Sequence, residues 1–232
     1  MADRDVIIIL DRSGSMQVGQ ADHEGGLRSF VNDLRALAGD VRLTFVRFDT
    51  KDPCEIVFTR KPVADVVLTD LTLVPRSGTP LLDAMGFALT QLRAGCGQQV
   101  VCMIITDGEE NSSRKWTKEQ VKTLVAELET QGWSFLYLGA NVDAFAEAGS
   151  VGVAAASASV YVASPAGIGN MYGATVSNLA STYAAVDQGE TWGTATKNLT
   201  FTSAQRQAML EGDTPLATGG ITKKNEKGEE TA

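Results

Sequence analysis

Three separated loops hold the residues with the most specific chemistry in this sequence. Asp11-Arg12-Ser13-Gly14-Ser15 follows a first apolar run, Ser77-Gly78-Thr79-Pro80 precedes a helical pattern, and Thr106-Asp107-Gly108-Glu109-Glu110 follows a second apolar run. Together they offer two carboxylates and three hydroxyls. These are hard oxygen donors, suited to Mg2+ or Mn2+ with water completing an octahedron. No His or Cys lies in the three loops, so a zinc site of the usual nitrogen and sulfur kind is not expected. Ser13 and Ser15 alternate and can aim both hydroxyls one way, with Gly14 easing the turn. Asp11 and Asp107 balance the charge of a divalent ion without exceeding it. The other donors are neutral, so the ion stays electrophilic, and an open position on it attracts an outside carboxylate. The expected metal ligands are Asp11, Ser13, Ser15, Thr79 and Asp107.

The surrounding pattern says how these loops come together. Val6 to Leu10 and Val100 to Ile105 are continuous, β-branched apolar runs, the mark of strands buried on both faces. Leu27, Phe30, Val31, Leu34, Leu37 and Ala38 recur at helical spacing and stop near Gly39. Leu81, Leu82, Met85, Ala88, Leu89 and Leu92 mark a second helix. Thr117 opens a third, with Val121, Leu124, Val125 and Leu128 on one face. Val41 to Phe48 and Cys54 to Phe58 read as strands joined by a turn over Asp49 to Pro53, a link so short that it predicts an antiparallel edge hairpin. Trp133 to Leu138 is a further strand, Val142 to Ala148 a short helix, and Val160 to Val162 a last short strand. Ile168, Met171, Tyr172, Thr175, Leu179 and Tyr183 give another helical face. This alternation predicts a three-layer α/β/α sandwich with a mostly parallel central sheet and one antiparallel edge strand. In such a sheet ligands bind at the carboxyl ends of the strands, where Asp11 and Asp107 fall.

Composition narrows the classes. The 232 residues suffice for one domain with an extension, and a 44% hydrophobic share is ordinary for a globular chain. A net charge of −8 argues against nucleic acid or an anionic membrane as partner, since both need a basic footprint. No apolar stretch reaches the length of a spanning helix, and the acid-flanked N-terminal run is too short for a secretory signal. Cys54, Cys96 and Cys102 are odd in number and lack a C-x-x-C pair, so reduced thiols in or near the core of a cytoplasmic, intracellular protein are expected. The chain divides into a domain over 1–186, an extension over 187–215 with a short helix capped by Thr202 and Gln205, and a tail over 216–232 too polar to fold.

The three motifs carry a resemblance. Asp11-Arg12-Ser13-Gly14-Ser15 looks like the D-x-S-x-S motif of the von Willebrand factor A family, Ser77-Gly78-Thr79-Pro80-Leu81-Leu82-Asp83-Ala84 resembles its second-loop segment, and Thr106-Asp107-Gly108-Glu109 its third-loop T-D-G. The likeness covers roughly residues 3 to 165, with the elements in the same order. It implies an intact metal-ion-dependent adhesion site, in which Ser13 and Ser15 bind through hydroxyls and Thr79, Asp11 and Asp107 bind directly or through water. It also implies a protein partner that supplies an Asp or Glu carboxylate. Adhesion receptors of the family are extracellular parts of larger chains, and this sequence is closer in appearance to stand-alone bacterial or phage-type members.

Plainer roles compete for several residues. Asp11 alone could cap a turn, and Thr79 could cap a helix starting at Pro80. Asp83 suits a helix start, Glu109 and Glu110 suit solvent, and Asn141 and Asp143 suit helix capping. His23 suits the surface or a helix start, and Trp116, Trp133 and Trp192 suit packing. The expected function is a metal-dependent protein-binding module with no catalytic residues. The alternatives are a metal-dependent phosphatase or phosphotransferase of haloacid-dehalogenase type and an assembly protein with an unused site. The first of these normally needs a second acid where Ser13 stands. Partner identity and oligomeric state are not readable.

Overall fold

The computed structural model describes residues 3–37, 39–140 and 143–212. Six strands form one sheet in the order β3-β2-β1-β4-β5-β6, comprising β1 (Arg4–Asp11), β2 (Val41–Asp49), β3 (Asp52–Pro62), β4 (Gln99–Thr106), β5 (Trp133–Gly139) and β6 (Ala158–Val160). All neighbours pair in parallel except β2 and β3, so the antiparallel hairpin at one edge is as expected. Its turn is tighter than the sequence suggests: β2 runs on to Asp49 and only 50–51 separate the strands. The Asp49 carboxylate itself holds the turn by accepting from the Lys51 amide at 2.7 Å. The last strand lies two residues earlier than the apolar pattern indicates, because Ala158 and Ser159 pair with β5 despite their small side chains.

Helices cover both faces. On one lie α1 (Gln20–Ala36) and α5 (Pro165–Asp187). On the other lie α2 (Leu81–Leu92), α3 (Lys118–Glu129) and α4 (Ala144–Ser150). Period-2 alternation along β1 splits the core between them. Val6, Ile8 and Leu10 join the α1/α5 cluster, while Ile7 and Ile9 join the α2/α3/α4 cluster. The architecture is therefore a three-layer α/β/α sandwich. Helix starts follow local chemistry: Thr117 and Gln120 form a capping box for α3, and Ser164 caps α5 ahead of Pro165. At Gly86 of α2 an added Cβ would fall 2.1 Å from the Trp116 ring, so the indole lies flat on the helix only because that residue has no side chain. Trp133 stacks on Phe135, and Trp192 stacks on Tyr183 while donating to the Gly132 carbonyl at 2.6 Å.

Residues 187–212 are built into this body. After α5 come α6 (Trp192–Ala195), a 3-10 turn (Thr196–Leu199) and α7 (Ser203–Met209). Leu199, Phe201 and Met209 are buried in the α1/α5 cluster. The Val162 amide donates to the Met209 carbonyl, the Phe201 amide donates to the Ala156 carbonyl, and Arg206 donates to the carbonyls of Ala155, Ala156 and Ala158. Backbone acceptors beside the short edge strand β6 are satisfied in this way. Residues 213–232, which include the expected tail, lie outside the described residues, as do Ala38 and Asn141.

Of the two places expected for His23, the structure gives the helix start and not the surface. It lies in the first turn of α1 and is 1% exposed, between the edges of Tyr161 and Tyr172. Burial drives its imidazole down to about 4. The three thiols are also buried or half-buried, and burial pushes Cys54 and Cys96 up to about 11.

Two outcomes test this packing. Phe201→Ala is expected to cost ~3–5 kcal/mol in denaturant unfolding, the range for emptying an aromatic site in a core. A loss under 1 kcal/mol would mean that the C-terminal segment is not part of the cooperative unit. For His23, the unfolded chain takes up a proton near pH 6.5 and the native pocket resists until about 4. The resulting stabilisation is complete above 6.5 and is lost as pH falls through about 4, a span of about 3 kcal/mol. The stability gap between the wild type and His23→Gln should narrow by that order between pH 7 and pH 4. A gap independent of pH would contradict a neutral buried imidazole.

Candidate metal centre

The site grows from the register of two neighbouring strands. β1 and β4 pair in parallel with Leu10 opposite Ile105, so the next residues, Asp11 and Thr106, end their strands side by side. The chain crosses from one side of β1 to the other between β3 and β4, and this switch opens a crevice at the carboxyl ends of the strands. Thr106 Oγ1 donates to Asp11 Oδ2 at 2.7 Å, and the Ser13 amide donates to Asp11 Oδ1 at 2.6 Å. Both oxygens of Asp11 are thereby oriented. The first loop then curls into a 3-10 turn (Gly14–Gln17), which brings Ser13 Oγ and Ser15 Oγ to 3.0 Å. Ser15 Oγ donates to Asp107 Oδ1 at 2.6 Å, joining the first loop to the third.

Thr79 reaches the same place through backbone stitching. The Gly14 amide donates to the Ser77 carbonyl at 2.9 Å and the Arg76 amide to the Arg12 carbonyl at 2.9 Å. The Thr79 amide donates to Asn111 Oδ1 and its carbonyl accepts from the Asn111 amide. Gly108 marks where these groups meet. A Cβ placed on it would lie 3.0 Å from Thr79 Oγ1, 3.5 Å from Ser15 Oγ and 3.9 Å from Asp11 Oδ2. All five expected ligands are thus brought to one rim, with Asp11, Ser13 and Thr79 buried and Ser15 exposed.

The donor set fits a hard divalent cation. Burial raises the carboxyl of Asp11 to about 7, against the pull of Thr106 and the Ser13 amide. It raises Asp107 too, against the bond from Ser15. Among the described residues, neither carboxylate is ion-paired with a Lys or Arg. The Thr79 hydroxyl does not cap a helix: α2 starts at Leu81, and the side chain of its cap residue, Pro80, offers no hydrogen bond. Two carboxylates short of positive charge beside three hydroxyls are what a bound cation would relieve. Asp11, Ser13, Ser15, Thr79 and Asp107 would hold it. Among the described residues no three His, Cys, Asp or Glu gather as a metal cluster.

The residues beneath the site went largely unnoticed in the sequence. Asp49, at the carboxyl end of β2, is buried and accepts from Arg12 Nε at 2.8 Å, Arg76 Nε at 2.8 Å and Ser77 Oγ at 3.0 Å. Burial pushes this carboxyl up, but Arg76, the Lys51 amide, Ser77 and Arg12 outweigh it and hold it below the usual range. Arg12 also pairs with Glu55. This cluster bolts the second loop to the first. Its signal was positional, since an acid ends the strand next to β1. Glu110 is not simply solvated: its carboxylate accepts from the amides of Leu82, Ser112 and Ser113. Asp83 accepts from the amides of Arg114, Lys115 and Trp116, so it anchors the third loop to the start of α2. Glu109 is exposed, and Asp143 occupies the cap position of α4.

No protein-family model matches the sequence, and no curated protein matches it. Solved structures do share its fold. Proximal thread matrix protein 1 from the mussel byssus, in a structure with a zinc-occupied MIDAS motif, aligns at a TM-score of 0.58 and 15% identity over 77% of this chain and 46% of its own. A von Willebrand factor type A protein from Catenulispora acidiphila aligns at 0.58 and 14% over 78% and 43%. The pilus adhesin SpaC from Lactobacillus rhamnosus GG, in its open conformation, aligns at 0.63 and 12% over 79% and 30%. This chain spans less than half the length of each of these three. At such identities the likeness establishes architecture: the fold is one that von Willebrand factor A-type proteins have.

Proposed function

We propose that the protein is a divalent-metal-dependent protein-binding module, in which Asp11, Ser13, Ser15, Thr79 and Asp107 hold Mg2+ or Mn2+ and a partner's Asp or Glu carboxylate completes the coordination. The observation that carries this reading is the meeting of five oxygen-bearing side chains from three loops: Thr79, Ser15 and Asp11 beside Gly108, with Ser13 and Asp107 both against Ser15. Structural neighbours that include a zinc-occupied MIDAS motif and a pilus adhesin support it. When bound, the ion supplies one electrophilic position for an outside carboxylate. The chain's own part is to fix the donors: Thr106 and the Ser13 amide orient Asp11, Ser15 is turned toward Asp107, and Asn111 sets Thr79. The side chains at hand favour binding over catalysis. Ser13 stands where a phosphotransferase of the dehalogenase kind needs its acid, and the single histidine is enclosed by tyrosines.

The test is linkage between metal and stability. Mg2+ or Mn2+ at one hundred times its Kd contributes about 2.7 kcal/mol, so the melting temperature should rise by about 5–10 °C over the EDTA-treated protein. Ser13→Ala with Ser15→Ala should keep the metal-free melting temperature within a few degrees and abolish the rise. A partner captured from lysate should appear with Mg2+ and vanish with EDTA or with the double variant. A wild-type melting temperature that ignores both ions would refute the metal-dependent reading.

A further inference from the structure

A line of hydrogen bonds reaches from the buried histidine to the rim of the site. His23 Nδ1 lies 3.4 Å from Tyr172 Oη, His23 Nε2 lies 3.3 Å from Tyr161 Oη, and Tyr161 Oη lies 3.3 Å from the Thr106 carbonyl oxygen. The direction of every bond is forced from one end. A carbonyl can only accept, so the single Tyr161 hydrogen goes to Thr106. The Tyr161 oxygen must then accept from Nε2–H of the neutral imidazole. That tautomer leaves Nδ1 as an acceptor, filled by the Tyr172 hydroxyl. The three side chains are 2% exposed or less, so bulk solvent does not compete for these links.

Thr106 belongs to both ends of this arrangement. Its carbonyl also accepts from the Ala140 amide at 3.0 Å, while its hydroxyl donates to Asp11 and accepts from the Gly108 amide at 3.1 Å. It is the last residue of β4, and Asp107 follows it directly. The groups that fix its carbonyl therefore also fix where the third loop leaves the sheet.

Building on the metal-binding reading above, we propose that Tyr161 is a positioning residue for the metal centre, tying the Thr106–Asp107 corner to α1 and α5 through His23 and Tyr172. Its hydroxyl touches no expected ligand and acts by holding the carbonyl of the residue between Asp11 and Asp107. Hydrogen bonds aligned head to tail polarise one another, so a change in charge at Asp107 and Asp11 is felt at the histidine.

The chain has one histidine, which makes it a spectroscopic reporter without further engineering. In protein labelled with 15N-histidine at neutral pH, the ring pattern should be that of the Nε2–H tautomer, and saturating Mg2+ should shift the Nε2 resonance. Tyr161→Phe should bind Mg2+ about three- to tenfold more weakly by calorimetry, the effect of one hydrogen bond, and its histidine should no longer follow the metal. Tyr172→Phe, one link further off, should weaken binding less. A protonated Nδ1 in the neutral ring, a histidine unmoved by Mg2+ in wild-type protein that binds it, or an unchanged Mg2+ affinity in Tyr161→Phe would each overturn the proposal and leave the metal site standing. Wild-type protein with no Mg2+ affinity would end both. Should Tyr161→Phe fail to fold, the wild-type histidine titration decides alone.

Discussion

The hydrogen bond from Thr106 Oγ1 to Asp11 Oδ2 is the contact on which the rest of the rim depends. It exists because β1 and β4 are parallel neighbours in a register that ends both strands at the same level. A shift of one residue would turn Asp11 or Thr106 to the opposite face and separate the first and third loops. Two core clusters hold that register, since the alternate residues of β1 are buried against different helix layers. The hydrophobic core thus sets a polar distance at the edge of the sheet.

Charge is divided around that edge. Beneath the second loop, Arg12, Arg76, Asp49 and Glu55 neutralise one another, and the buried Asp49 stays ionised because its partners outweigh its desolvation. The one fully buried pair among them, Arg12–Asp49, adds little net stability, but removal of either partner leaves an unpaired buried charge, so it locks a geometry. On the rim the balance is reversed. Asp11 and Asp107 have hydroxyl and amide donors but no cation among the described side chains, and burial disfavours their charged forms. The same fold therefore holds one carboxylate paired with arginines a short way from two that are served by hydroxyl and amide donors alone.

The opposite face contributes through packing. α5 packs on α1, α7 and the linking turns pack on α5, and Arg206 satisfies carbonyls beside β6. Tyr161 and Tyr172 come from this layer and enclose His23, which reaches them from α1. The C-terminal third of the described chain is thus continuous with the element that fixes Thr106, although it is distant in sequence from every candidate ligand.

Much was legible before any coordinates. Doubly apolar runs marked β1 and β4, helical spacing marked α1, α2, α3 and α5, and the short link read over Asp49 to Pro53 marked the antiparallel edge. These signals are local, because burial on one or both faces imposes a period on the chain. The five oxygen donors were legible too, as type and spacing at strand ends. What tertiary structure alone decided was pairing across distance. Glu110 read as solvated until the start of α2 met it, His23 read as a surface or helix-start residue until two tyrosines more than one hundred positions away buried it at that helix start, and Asp49 read as part of a turn until two arginines found it. A polar side chain leaves no periodic trace of its partner. Only the fold says whether it faces water or another charge.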